Sequence, residues 1–228
     1  MGAGGRNWED ARDVVACGAD EALGAEIAAC RRCRDAPMMR HPLPHEPRPV
    51  LRISSTARVA ICGQAPGTRV HASGLPFDDP SGDRLRDWMG IGRDVFYDAT
   101  RVAVVPMGFC FPGQDAKGGD LPPRRECRQL WHDRVFAAMP QLDLVLAIGA
   151  YAQAYHLGKA VRPSLTETVT AWRDYWEIPG PRHILPLPHP SWRNTGWLKR
   201  NPWFDRDLAP FLKKEIRKRV AADPDQGA

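Results

Sequence analysis

No apolar run in this sequence approaches the roughly 20 residues that a membrane-spanning helix needs. The stretch from Met1 to Asp20 also lacks the apolar middle of a secretory signal. No membrane contact is therefore expected, and a cytoplasmic protein is. Internal repeats are absent, and no low-complexity tract occurs away from the ends. Neither a Gly-x-Gly-x-x-Gly run nor a lysine-bearing phosphate loop is present, which weakens a nucleotide-binding reading. The Gly-x-Ser-x-Gly elbow that would make Ser191 a hydrolase nucleophile is missing too.

What is present suits one domain with a sizeable core: 228 residues, of which 43% are hydrophobic. The boundaries read as a loose arm over 1–20, a single domain over 21–221 and a disordered tail over 222–228. A monomer is expected. The net charge of +5 is unevenly spread. Arg193, Lys199, Arg200, Arg206, Lys213, Lys214, Arg217, Lys218 and Arg219 face only Asp205, Asp207 and Glu215 in that part of the chain. Such a patch suits a polyanion, most simply nucleic acid; the plain alternative is a solvated terminal helix.

Four short apolar runs, Val59–Cys62, Val102–Val105, Leu142–Ile148 and Ile184–Leu187, read as buried parallel strands. Helical patterns alternate with them: Glu21 to Cys33, Ser81 to Met89 with Ser81 as N-cap, Arg124 to Met139 with Leu130, Val135 and Met139 inward, Gly149 to Gly158, and Phe204 to Ala221. The Pro- and His-rich stretch 37–49 must be an extended connector. Alternation of this kind implies an α/β fold, a three-layer α/β/α sandwich around a central four-stranded parallel sheet.

Two loops directly follow apolar strands: Gly63-Gln64-Ala65-Pro66-Gly67 and His189-Pro190-Ser191-Trp192-Arg193-Asn194. Open α/β sheets place ligands at such strand ends. Cysteine usage adds a second signal. Cys30 and Cys33 form a Cys-Arg-Arg-Cys pair, and Cys110 and Cys127 follow the second strand. Four thiolates suit zinc or an iron–sulfur cluster, and the wide second spacing favours the cluster over a zinc ribbon; unrelated free thiols are the alternative. Cys62, ending a strand, reads as an inert buried thiol, and Cys17 carries no signal.

Taken in order, Cys30–Cys33, the Gly63–Gly67 loop, Gly74-Leu75-Pro76-Phe77, Cys110, Cys127 and His189-Pro190-Ser191 resemble the uracil-DNA glycosylase superfamily over roughly residues 23 to 215. The likeness is nearest to its families that bear a 4Fe–4S cluster. It implies hydrolysis of the N-glycosidic bond of uracil or a related deaminated base in DNA, without strand cleavage, as the first step of base-excision repair. A non-catalytic binder of uracil-containing or abasic DNA is the alternative. The base leaves the stack first. The resemblance then implies His189 as donor to the anionic base, Phe77 as its stacking platform, and Gly63, Ala65, Pro66, Gly67, Ser191 and Asn194 as pocket residues. Trp192 and Arg193 match the wedge that fills the vacated space, with Thr195, Lys199 and Arg200 toward DNA phosphates. Cys30, Cys33, Cys110 and Cys127 match the cluster ligands.

Two departures stand out. The first loop carries Gln64 and Ala65 where relatives carry an acid. Gln64 can orient a water but cannot take its proton, so Asp79 becomes the candidate for orienting water and stabilising the sugar cation, with Asp78 and Asp83 as alternatives. Relatives also place an asparagine after the second strand to read uracil; here Val105-Pro106-Met107-Gly108-Phe109 has no amide. Backbone groups or another polar side chain must then read the base, which opens the way to hypoxanthine, xanthine or modified uracils. His71, between the first loop and Phe77, is a further candidate for base or phosphate contact.

Overall fold

Runs rich in valine, isoleucine and leucine build the sheet, and the computed structural model describes it within residues 14–17, 21–38 and 41–221. In chain order the elements are β1 (Val14–Cys17), α1 (Glu21–Ala28), α2 (Arg32–Asp35), β2 (Leu51–Ser54), β3 (Val59–Cys62), α3 (Thr68–Ser73), α4 (Pro80–Met89), α5 (Arg93–Tyr97) and β4 (Val102–Val104). They continue with α6 (Arg125–Cys127), α7 (Asp133–Ala137), β5 (Leu144–Ile148), α8 (Gly149–Leu157), α9 (Leu165–Thr170), α10 (Trp172–Trp176), β6 (His183–Leu187), α11 (Thr195–Arg200) and α12 (Ala209–Val220). No described helix is long and apolar enough to cross a membrane.

The sheet has six strands in the order β1-β2-β4-β3-β5-β6, a correction to the four expected. The expected strands form its core, from β4 to β6, all parallel. The two additional strands lie at one edge. In β2, Arg52 and Ser54 interrupt the apolar run, which hid it from a hydrophobicity reading. Arg52 is nonetheless fully buried: its guanidinium donates to the Tyr97 carbonyl at 3.0 Å and lies 5.1 Å over the Tyr97 ring. The second, β1, falls within the expected loose arm and pairs in parallel with β2. The remainder of that arm and the tail 222–228 lie outside the described residues.

Side chains alternate across the sheet. Val59, Ile61, Leu144 and Leu146 face one core with α4, α5 and α12; Ala60, Cys62, Val145 and Ala147 face another with α1, α7 and α8. Three layers follow from that alternation. Cys62 is fully buried, and burial pushes its thiol up, as an inert structural cysteine requires.

The expected helix over Glu21–Cys33 is broken between Ala28 and Arg32 into α1 and α2, and three further local expectations change. The N-cap of α4 is Asp79, not Ser81: its carboxylate accepts from the Ser81 and Gly82 amides. The 124–139 stretch is not one continuous α-helix, because a π turn over Arg128–His132 separates α6 from α7. The extra residue in that turn rotates the face, so Leu130 is 41% exposed while Val135 and Met139 stay buried. The terminal basic stretch is also less free than its composition implied. Arg219 is buried against Glu215 and Asp143, Lys218 pairs with Glu215, and Lys213 with Asp87.

His132 is buried and His156, on α8, is half-buried, and Nδ1 of the first and Nε2 of the second have no hydrogen-bond partner. Burial pushes His132 from 6.5 down to about 4; it pushes His156 down to about 3, helped by repulsion from His132 and Arg182. Both folded values lie below the unfolded value, so the unfolded chain takes up protons first. Their contribution is whole above pH 6.5 and is lost as pH falls. The loss approaches about 1.4 kcal/mol per pH unit for each histidine. The urea midpoint should therefore fall steeply between pH 6.5 and 4, and His156→Phe should make that fall shallower.

Candidate active site

Because β3, β4, β5 and β6 are parallel, their carboxyl ends open on one edge of the sheet, and both signature loops lie there. The first loop is fixed by the chain that leaves β4. Val105, Met107 and Gly108 donate their amides to the carbonyls of Ile61, Gly63 and Gln64 at 2.9, 2.9 and 3.0 Å. The ladder thus continues past the strands. It also spends the Met107 and Gly108 amides, so these two do not read a base. The Gln64 side chain donates to the Leu121 carbonyl at 3.0 Å, tying a second segment over the loop.

Phe77 and Asp79 sit in a tight turn before α4. Phe77 has φ +56°, the single non-glycine positive φ among the described residues, a conformation that costs an aromatic residue energy. Packing compensates. A Cβ at Gly82 would lie 1.8 Å from the Phe77 carbonyl oxygen, so only glycine lets the helix approach. Arg86 donates to the same carbonyl at 3.4 Å, and the Phe77 ring meets Phe96 edge-on at 6.0 Å. Asp79 caps the helix through Oδ1, which takes the Ser81 amide at 2.8 Å, the Gly82 amide at 3.1 Å and the Ser81 hydroxyl. The alternatives to Asp79 are engaged elsewhere: Asp78 pairs with Arg93 and Asp83 with Arg86.

The second loop leaves β6 and is organised around His189. The Ser191 amide donates to His189 Nδ1 at 3.2 Å. That bond requires a lone pair on Nδ1, so in the neutral ring the proton sits on Nε2, which becomes the donor. Burial lowers the proton affinity of His189, against an opposing pull from Asp79 and Asp120. The imidazole is thereby kept neutral near pH 7. The Asn194 amide holds the His189 carbonyl at 2.8 Å, so that side chain shapes the loop rather than reaching a ligand. Arg84 of α4, which sequence reading missed, donates to the Ser191 carbonyl at 2.9 Å and to the Thr195 hydroxyl at 3.3 Å. At the tip, Trp192 is 75% exposed with the Arg193 guanidinium 5.9 Å from its ring centroid.

Between the loops lies a cavity of about 130 Å³, lined by Gly63, Gln64, Ala65, Pro66, Gly67, Phe77, Asp79, Asp120 and His189, with Val50, Val70, Val104, Pro76 and Pro106 among its apolar walls. Pockets for drug-sized ligands are ~300–1,000 Å³; this one suits a single planar ring. It opens into a groove of about 680 Å³ that adds Arg69, Ser191, Trp192 and Arg193. Lys199 and Arg200, on α11, line neither. His71 is not among the lining residues either; its ring lies 4.3 Å from His45 and 5.7 Å from Phe111.

Away from this cavity, Cys30, Cys33, Cys110 and Cys127 line one small void together with Ile27, Pro47, Pro49, Phe109 and Trp131. None is in a disulfide. The Phe109 amide donates to the Cys127 sulfur at 3.3 Å. A hydrogen bond with Cys127 holds the Cys33 thiol below its ordinary value, while that bond and burial push Cys127 up; burial pushes Cys110 up to about 12. No group of three or more His, Cys, Asp or Glu side chains among the described residues is placed to hold a metal ion.

A family model described as the uracil DNA glycosylase superfamily matches residues 52–213. That span contains both loops and Cys110 and Cys127; the Cys30–Cys33 pair lies before it. Among solved structures, the chain is similar to wild-type SMUG2 of Pedobacter heparinus, with 13% identity, 73% of this chain and 74% of that chain covered, and a TM-score of 0.35.

The cap and the charge of Asp79 are separable. Asp79→Ala should cost about 1 kcal/mol in urea denaturation, whereas Asp79→Asn, an equally good cap, should stay within about 0.5 kcal/mol of the parent.

Proposed function

The chain belongs to the uracil DNA glycosylase superfamily, and from that premise we propose a monofunctional DNA glycosylase that removes uracil or a related deaminated base and so initiates base-excision repair. One observation carries this reading: a neutral His189 with its donor on Nε2 lines a cavity sized for one base, beside the exposed Trp192.

Cleavage of the glycosidic bond builds negative charge on the base and positive charge on the sugar. A hydrogen bond from His189 Nε2 strengthens as the base becomes anionic, and because the ring is held in advance by Ser191 and Asn194, no reorganisation opposes it. Phe77 stacks on the extruded base. Asp79, fixed at the head of α4, orients the water and stabilises the sugar cation. Trp192 enters the stack where the base has left, offsetting an unstacking cost of a few kcal/mol. No lysine lines the cavity or its groove among the described residues, so water is the nucleophile and the abasic strand stays intact.

Cys30, Cys33, Cys110 and Cys127 would hold a 4Fe–4S cluster. Four thiols around one void are the donor set this group takes. The cluster would supply a structural clamp between α2, the 110 loop and α6. The reaction needs nothing else from it.

In single-turnover assays on a panel of deaminated bases in single- and double-stranded DNA, the protein should yield abasic product from uracil. His189→Ala should slow that step about 10²–10³-fold with DNA affinity within about twofold. Tight binding without product would establish the binder instead. Purified protein should be brown and bleach on reduction; colourless protein with stoichiometric zinc would overturn the cluster.

A further inference from the structure

Seven residues line both the inner cavity and the outer groove, and so form the neck between them: Gln64, Gly67, Val70, Asp79, Ser81, Asp120 and His189. With a base in the cavity and the strand in the groove, the sugar carbon that joins them lies in this neck. We propose that Asp120 is a catalytic carboxylate of the site, the group that takes the proton from the attacking water. The proposal rests on the glycosylase reading above and deepens it.

The neck offers few groups that can accept that proton. The Gln64 amide is neutral and donates to the Leu121 carbonyl, and the Ser81 hydroxyl donates to Asp79. Asp79 has Oδ1 committed to three donors that cap α4. Asp120 is the least committed. Its Oδ1 takes one bond, from the Gln114 amide at 3.3 Å. Its Oδ2 lies 3.4 Å from where a Cβ on Gly67 would stand, against the first loop.

The segment that carries Asp120 is built rather than loose. Asp115 accepts the Lys117 and Gly119 amides at 2.8 and 2.9 Å, and the Asp115 amide donates to the Gly119 carbonyl at 2.8 Å. The Leu121 amide returns to the Gly113 carbonyl at 2.9 Å, and Gln114 bridges Asp120 in antiparallel pairing. Through Gln64 and Leu121 this small hairpin is tied to the first loop.

The sign of the charge separates a catalytic role from a DNA-holding one. A carboxylate in a groove lined by Arg69 and Arg193 repels the phosphates those arginines attract. Beside a sugar acquiring positive charge it is favourable. The electrostatic pull of Asp120 on His189 agrees with the place of both at the same neck.

In the step itself, the water oxygen bonds to C1′ as the C1′–N bond breaks and its electron pair leaves with the base. The Asp120 carboxylate accepts the water proton and later returns it to solvent. Asp79 stabilises the sugar cation, and the base anion, held by His189, takes up a proton from solvent on release. Asp120 thus supplies the proton acceptor that Gln64 and Ala65 cannot.

The test is single-turnover excision from a uracil-containing single-stranded oligonucleotide across pH 4–9, with affinity measured on a non-cleavable 2′-fluoro analogue. Asp120→Asn should slow excision by about 10²–10⁴-fold, while binding the analogue as tightly as the parent or more tightly. Asp120→Glu should recover part of the rate, and added formate should raise the rate of Asp120→Ala at least tenfold. Asp120→Asn that cleaves within about threefold of the parent, or loses rate and affinity together, would overturn this role alone. No product from the parent protein would overturn the glycosylase reading and this role with it.

Discussion

The backbone bonds from residues 105, 107 and 108 to residues 61, 63 and 64 constrain everything around the site. They carry the β3–β4 ladder beyond the regular strands, so the first loop is tied into the hydrogen-bonded framework of the sheet. They hold Pro106 in the cavity wall and lead the chain directly into Phe109 and Cys110. They also remove two amide donors from the place where an amide side chain is missing. The polar side chains on the cavity wall are His189, Gln64, Ser81, Asp79 and Asp120.

Helix α4 is the second organising element, and its sequence does three separate things. Asp79 caps it, Gly82 lets it close against the Phe77 carbonyl, and Arg84 reaches the second loop. A strained Phe77 backbone is held because these contacts over-determine it. The two loops, more than 120 residues apart, are therefore registered against each other by one short helix.

Much of the fold was legible in the sequence, for a physical reason. Strands buried on both faces must be continuously apolar, so Val59–Cys62 was found to the residue and β4, β5 and β6 to within two. The two strands added at one side of the sheet, β1 and β2, escape that rule. Arg52 in β2 is buried but satisfied by Tyr97, a partner 45 positions away that no local pattern announces. The π turn at Arg128–His132 likewise leaves no periodic trace, and it turned Leu130 outward. Within the site, His189, Phe77 and Asp79 were legible because each follows a strand or opens a helix beside a recognisable motif. Asp120 and Arg84 were not, since a carboxylate in a polar hairpin and an arginine on a helix look like ordinary surface. Asn194 was legible as polar, and the structure commits it to the His189 carbonyl.

The sequence by itself determined the α/β class, the two strand-end loops and the family whose model spans them, because each depends on order along the chain. Only the tertiary structure decided the six-stranded sheet, the Nε2 tautomer of His189, the meeting of four thiols at one void, and the arrival of Asp120 at the neck of the cavity. These depend on bonds between groups distant in sequence, whose partners are fixed only once the layers have packed.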